Sequence, residues 1–429
     1  MFPQWNGITG KEVSTPGGKQ YSALDWPNDR ARVYMDSHPG VKITTEELPW
    51  GDGQKKLYIA AASGQLQPDI FYQPATYMNR LANGGYVEPV DVYLTKDDLD
   101  DYFPAVMQRD RYKGNLHFWP WLTYTSLVFI NRAIFKERGA EDLLPTNDNR
   151  TWTLDQFTKA AQAVTFKRGS TDVYGWAAWF GNPAHWFQPI WGMGARIFSD
   201  DGTKIVMTDP ANHDLIVNGL QWYSDMESKQ KIMLPGLASA QSNPITDAFY
   251  QGRLAMVPWQ IPSYQAVKNA QNQGKVTASQ FDLWGASVPA NSGQDPHPYI
   301  EDGGWTIFKQ KDGAKLQALM DFGRWLGNTD NERAVQGNST LPCRKSAMEG
   351  MYAGDPFMQF AIKTAQFETP DLMLPSNVIG GFFGLLTELD AMGQAAISGQ
   401  KSPSDALQEG QKRCEDSLKA LLAQQLPTQ

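Results

Sequence analysis

The chain has 429 residues, with 38 Lys and Arg against 46 Asp and Glu for a net charge of −8, and 12% of it is aromatic. That length exceeds what one hydrophobic core usually serves, so two domains are expected, and an acidic surface without long Lys/Arg runs argues against nucleic acid or anionic lipid as a partner. Nothing approaches the roughly 20 apolar residues of a membrane span, and Cys343 and Cys414 are too few for a disulfide framework and lack metal-ligand spacing, leaving either one bridge or two buried thiols.

The first residues, MFPQWNGITG, have neither the basic start nor the apolar run of a signal peptide. Residues 41–48 (VKITTEEL) have strand composition, 53–64 (GQKKLYIAAASG) read as a helix closed by Gly64, and 68–72 (PDIFY) as a short buried strand. Strands alternating with helices imply a mainly parallel sheet with helices on both faces. A helix in TYMNRLANGG ends at a glycine pair. Residues 118–135 (FWPWLTYTSLVFINRAIF) then set Trp119 and Trp121 around a proline that cannot donate to a sheet ladder, which marks a crossing between two structural units.

Thr153 and Gln156 make a capping box for the next helix. A strand is expected in DVYGWAAW, a short aromatic helix in HWFQPIWGMG, and a hairpin around Asp201 and Gly202. Asp209 and Pro210 start a long helix with Leu215, Gly219, Tyr223 and Met226 on one face. Helix, strand and a loop carrying Trp259 follow, with strands at 281–289 and 303–309 and a helix in GAKLQALMDFGRWL. Ser402, Pro403 and Asp405 give the last helix a strong start. With no repeat and no low-complexity linker, several crossings between the domains are expected.

Catalytic signatures are missing: there is no G-x-S-x-G, H-E-x-x-H, P-loop or G-x-G-x-x-G, and His38, His117, His185, His213 and His297 are scattered. No cofactor or metal is expected. A glycosidase needs only two suitably placed carboxylates, so counting acids does not remove that alternative.

Seven segments in order carry a family resemblance: HPGVKITTEELPW, KKLYIAAASGQLQPDIFY, NGGYVEPVDVYL, LVFINRAIFKERGAEDLLPTNDNRTWTLDQFTKAAQAVT, AFYQGRLAMVPW, GGWTIFK with LPCRKS, and PSDALQEGQKRCEDSLKALL. Together they resemble the extracellular solute-binding proteins of sugar-importing ABC transporters, the class that includes the maltose-binding protein. The resemblance implies an α/β fold of two domains, the type II periplasmic-binding-protein-like arrangement, with the ligand in an interdomain cleft and several hinge crossings. The implied lobes are 1–120 plus 287–338 and 121–286 plus 339–429. The crossings are expected at Trp119 and Trp121, near 282–289 and near 338–344. Hinge closure about a ligand is the behaviour of such folds.

The implied function is capture of a neutral di- or oligosaccharide, without catalysis, and delivery to a membrane permease. A monomer is implied, periplasmic or extracellular, with a removed signal or a lipid anchor ahead of it. A glycerol phosphate or polyol is the alternative ligand on the same fold, although a phosphate would call for more basic cleft residues. Sugars offer nearly apolar C–H faces, which aromatic rings cover, and a hydroxyl rim, which polar side chains satisfy.

By position in the family pattern, the ligand candidates are Trp5, Asn6, Trp50, Asp52, Tyr72 and Gln73, then Trp121 and Tyr124 at the crossing, Trp259, and the run Glu301, Asp302, Gly303, Gly304 and Trp305. Arg344 occupies the place where the family commonly has an arginine reaching the cleft. Trp152 and Trp222 read as structural. Trp176, Trp179, Trp186 and Trp191 form either a ligand wall or the packed floor of the second domain, and Trp186 is kept as a candidate.

Overall fold

Residues Trp119–Asn131 form one strand of 13 residues, far longer than its neighbours, and the molecule is organised around it. The structure is a computed structural model, and it describes residues 2–3, 25–48, 52–63, 68–199, 202–237, 242–276, 280–291, 296–366 and 383–423. In chain order the strands among these are β1 (Phe2–Pro3), β2 (Glu47–Leu48), β3 (Ile70–Pro74), β4 (Arg111–Tyr112), β5 (Asn115–Leu116), β6 (Trp119–Asn131), β7 (Phe166–Arg168), β8 (Thr171–Trp176), β9 (Leu254–Gln260), β10 (Leu283–Ala286), β11 (Ile300–Ile307) and β12 (Leu341–Pro342).

β6 changes partners half-way. Residues 119–125 pair with β11, which continues to β3, whereas 126–130 pair with β9, which continues to β8 and β7. β10 lies against 128–131 and β12 against 122–123, so with β9 and β11 four separate segments of the chain meet around the strand's middle. Each half then enters its own core. Trp119, Trp121 and Leu122 pack with Trp26, Tyr72, Trp305, Ile307 and Leu326, while Leu127, Val128, Phe129 and Ile130 pack with Trp176, Trp186, Tyr223, Met256 and Leu389. Four successive apolar residues, 127–130, are all fully buried, which requires cover on both faces of the sheet.

Local signals form where the sequence puts them. Thr153 and Gln156 close a capping box at the start of helix Leu154–Ala163. Helix Pro210–Ser228 buries Gly219, Tyr223 and Met226. Asp405 N–H bonds to Ser402 at 3.1 Å at the start of helix Pro403–Ala423. Trp152 and Trp222 are structural, their indoles donating to Ser287 O at 3.1 Å and to Thr158 Oγ1 at 2.8 Å. Both cysteines are free and buried, Cys343 beside Tyr102 and Val106 and Cys414 in the second core.

The expected mainly parallel sheet is corrected. Among the strands named above only β1–β2 and β8–β9 pair in parallel, with one isolated parallel bridge at Trp176 and Met233; every other ladder between them is antiparallel. Helices flank the strands as expected, but β6, β10, β11 and β12 are traversing segments, and a chain that passes between two cores and returns lays its strands in opposite directions.

Candidate functional site

The site is assembled where β6 leaves the first core. The ladder opposes Tyr124 to Glu301, and the two side chains share a face of the sheet because directly paired residues point the same way. Tyr124 Oη donates to Glu301 Oε2 at 2.5 Å, and Tyr299 Oη donates to the same oxygen at 2.6 Å. Burial and the Glu301 charge hold both phenols well above their usual range, so both remain hydrogen-bond donors. Tyr124 is the least buried residue of β6 and packs against both cores.

The second half supplies an aromatic wall at the C-terminal ends of the parallel pair β8 and β9, where open α/β sheets place their ligands. Trp179 follows β8 and is partly exposed, 5.6 Å from the His185 ring in an edge contact. Asn182 caps the short helix Pro183–Trp186, its side chain accepting from Ala184 N–H, which fixes the direction of His185. His185 Nδ1 lies 2.7 Å from Pro258 O on β9, two residues before the strand ends, and burial lowers the imidazole to about 4, so it is neutral. Pro258 pairs with Val128, four positions along β6 from Tyr124.

Other expected ligand residues lie elsewhere. Tyr72, Trp121 and Trp305 form one cluster with Trp26, ring centroids 4.9–6.0 Å apart and all at most 4% exposed, so they pack the interior behind the site. The ladder slips between Gly303 and Gly304, leaving Trp121 as an extra residue beside Pro120; a proline and a bulge suit each other because neither completes the ladder. A side chain on Gly303 would strike the Tyr72 hydroxyl, and one on Gly304 the Trp119 carbonyl and the Phe118 ring. Close packing against these neighbours requires glycine at both positions.

Gln73 is buried and bonds Thr306 at 3.2 Å. Asp302, one residue from Glu301, points to the opposite face, where Arg109 holds it through two bonds of 2.8 and 2.9 Å. Trp259 is 9% exposed and meets Phe129 and Phe249 edge-on in the second core. Trp186 is buried behind His185, its indole donating to Asp390 at 2.8 Å. Trp5, Asn6 and Trp50 lie outside the described residues, and Asp52 begins helix Asp52–Ala62 with its side chain outside them.

Arg344 is turned away from Tyr124 and Glu301. Its guanidinium donates to Gly327 O at 2.6 Å, Asp98 at 2.9 Å and Tyr102 Oη at 3.1 Å, and lies 4.2 Å over the Tyr102 ring. Glu332 and Asp101 complete the surround at 3.6 and 3.4 Å. The residue braces β12 to the first core.

The residues that sequence reasoning passed over are Tyr299, the neutral His185 and, left undecided, Trp179. An N-cap Asn-Pro signal in NPAHW was present and would have oriented His185. Among the described residues no cluster of His, Cys, Asp and Glu is placed to hold a metal, and no helix is long and apolar enough to cross a membrane.

Two α/β cores joined through shared strands, with a polar patch at the join, define the two-domain type II periplasmic-binding fold. The same fold is found in the GacH receptor of Streptomyces glaucescens GLA.O, solved unliganded and with acarbose, at a TM-score of 0.72 and 19% identity over 97% of each chain. The Thermus thermophilus maltotriose binding protein, bound with maltotriose, gives 0.69 at 20% identity over 97% of this chain and 99% of the other. In sequence, the maltotriose-binding protein of Pyrococcus abyssi (strain GE5 / Orsay) is 32% identical over 107 residues, a match spanning 25% of this chain and only 23% of that relative. The profile of the bacterial extracellular solute-binding proteins matches residues 15–333, and the chain belongs to that family.

Proposed function

We propose that this protein is the carbohydrate receptor of an ABC importer: it captures a neutral di- or oligosaccharide between two lobes and delivers it to a membrane permease without chemical change. The observation that carries the reading is the Tyr124–Glu301–Tyr299 patch at the point where β6 passes between cores. Both phenolic protons are given to Glu301 Oε2, so the patch presents carboxylate and phenol oxygens as acceptors, which matches the donor hydroxyls on the rim of a sugar. Trp179 and the uncharged His185 supply the flatter, less polar wall for C–H faces. Relatives that bind maltotriose, acarbose and mannotriose support the ligand class.

The lobes are proposed as 1–120 plus 287–338 and 121–286 plus 339–429; the partner change within β6, at 125/126, supports a division in that strand, with Trp121 and Leu122 still packed on the first core. Trp5, Asn6, Trp50 and Asp52 are proposed as further ligand residues. The receptor works as a monomer outside the cytoplasmic membrane, tethered there by a lipid anchor or free, with no nucleic-acid partner. Closure is driven only by the ligand's greater affinity for the closed form.

Titration calorimetry with neutral oligosaccharides, polyols and glycerol phosphates, with chromatography of each incubated sugar, tests the reading. Saturable binding of intact oligosaccharide supports it. Sugar cleavage, or a response to phosphates alone, overturns it.

A further inference from the structure

Strand alternation gives the crossing region two faces, and the proposed carbohydrate site uses one. On the other face lies a pocket of about 260 Å³. Its floor is Thr123, Leu341 and Pro342 on β6 and β12. One wall is Phe103–Arg109, around helix Pro104–Arg109 beside the first core, and the other is Met348, Ile362 and Ala365, which pack on the second core. The pocket therefore bridges the two halves behind the hinge.

Two features give it chemistry. Thr123 is 5% exposed and its hydroxyl, lining the pocket, has no hydrogen-bond partner, although buried hydroxyls are ordinarily satisfied. Beside it Arg109 is paired with Asp302, and burial together with the Asp302 charge pushes the neighbouring Asp110 carboxyl well above its usual range. A mainly apolar lining, whose polar members are Thr123, Gln366 and an Arg109 already paired with Asp302, selects a neutral ligand, since an ion would be desolvated without a free counter-charge.

We propose that this pocket is a second binding site, for a small, mainly apolar, uncharged molecule carrying one oxygen that pairs with Thr123, and that its occupancy changes the affinity of the carbohydrate site. Hinge bending that brings the cores together over Tyr124 and Glu301 must move them relative to one another on the reverse face. An occupant fitted to one spacing is then favoured in one state over the other, and linkage makes the effect reciprocal. The coupling, though not the binding itself, rests on the proposed carbohydrate function.

The test uses cyclohexanol as the probe, with the Met348 methyl resonance followed in the full chain. Saturable shifts at millimolar cyclohexanol are expected. Thr123→Val should weaken them about tenfold, and Ala105→Phe, at a half-buried helix position, should abolish them while leaving the thermal transition in place. Saturating cyclohexanol should alter carbohydrate affinity at least threefold in the parent and not in Ala105→Phe. Absence of a saturable shift, or a shift that survives Ala105→Phe, overturns the site. Saturable binding with unchanged carbohydrate affinity overturns the coupling. Failure of every sugar to bind would sink the receptor reading and leave the methyl titration to decide the pocket.

Discussion

The hydroxyl of Tyr124 bonds to Glu301 and faces the proposed cleft. Tyr124→Phe keeps the ring but removes an acceptor oxygen from the proposed cleft and one of the two donors that orient Glu301, so carbohydrate affinity should fall about two- to tenfold, a neutral hydrogen bond being worth about 0.5–1.5 kcal/mol; calorimetry measures it, with thermal melting as the control for folding. Two other residues set a pH signature. His185 is held at about 4 against an ordinary 6.5, so the unfolded chain binds its proton first, and this contribution to stability is complete above 6.5 and lost as pH falls to 4. Asp390, which burial raises from 3.8 to about 7, acts in the opposite sense: its contribution is complete below 3.8 and lost as pH rises to 7. The windows overlap, so the two slopes offset one another in the parent. Melting temperatures across pH 4–8 should show a rise with pH in Asp390→Asn and a fall in His185→Gln. A residue's orientation was hard to read from sequence: one position along a four-residue helix separates Trp186, buried on Asp390, from His185, turned toward β9. Only the cap at Asn182 distinguishes them.

At the scale of elements, what is local was legible and what is long-range was not. Capping at Thr153 and Ser402 depends on residues three apart and formed as read. The direction of the strands, and the burial of Trp121 and Trp305, depend on which distant segment lies alongside and on a bulge that no short pattern announces. The same bulge yields a prediction. Gly304→Ala would drive a methyl group against backbone at Trp119, which cannot retreat as a flexible side chain would, so urea unfolding should show a loss of about 1–3 kcal/mol, the usual cost of overpacking, or more. Arg344 gives a second. Arg344→Ala leaves Glu332 and Asp101 without their cation and Asp98 with Arg324 alone, and breaking a buried pair costs about 3–5 kcal/mol. As a brace rather than a ligand residue, it should leave the affinity of the folded fraction within about threefold, which separates the structural role from the one its sequence position implied.

The two-core architecture and the family were legible across the whole chain because ordered segments, each weak alone, leave few alternative folds. What the sequence could not supply was the division of labour within each segment: of the run 301–305, only Glu301 reaches the proposed cleft, because alternation sends Asp302 to the reverse face and packing takes up the rest. If the lobes close on a carbohydrate, small-angle X-ray scattering should record a smaller radius of gyration with oligosaccharide than without. An unchanged radius under saturating ligand would remove closure from the mechanism.

β6 also bears on how the molecule comes apart. Leu122 belongs to one interior and Leu127 to the other, five residues along the same strand. Pulling that strand from either interior uncovers the other, so neither half has a natural place to melt by itself. Calorimetry should therefore record a single transition whose van't Hoff and calorimetric enthalpies agree, although the protein has two cores, and a fragment that stops within 119–131 should fail to fold.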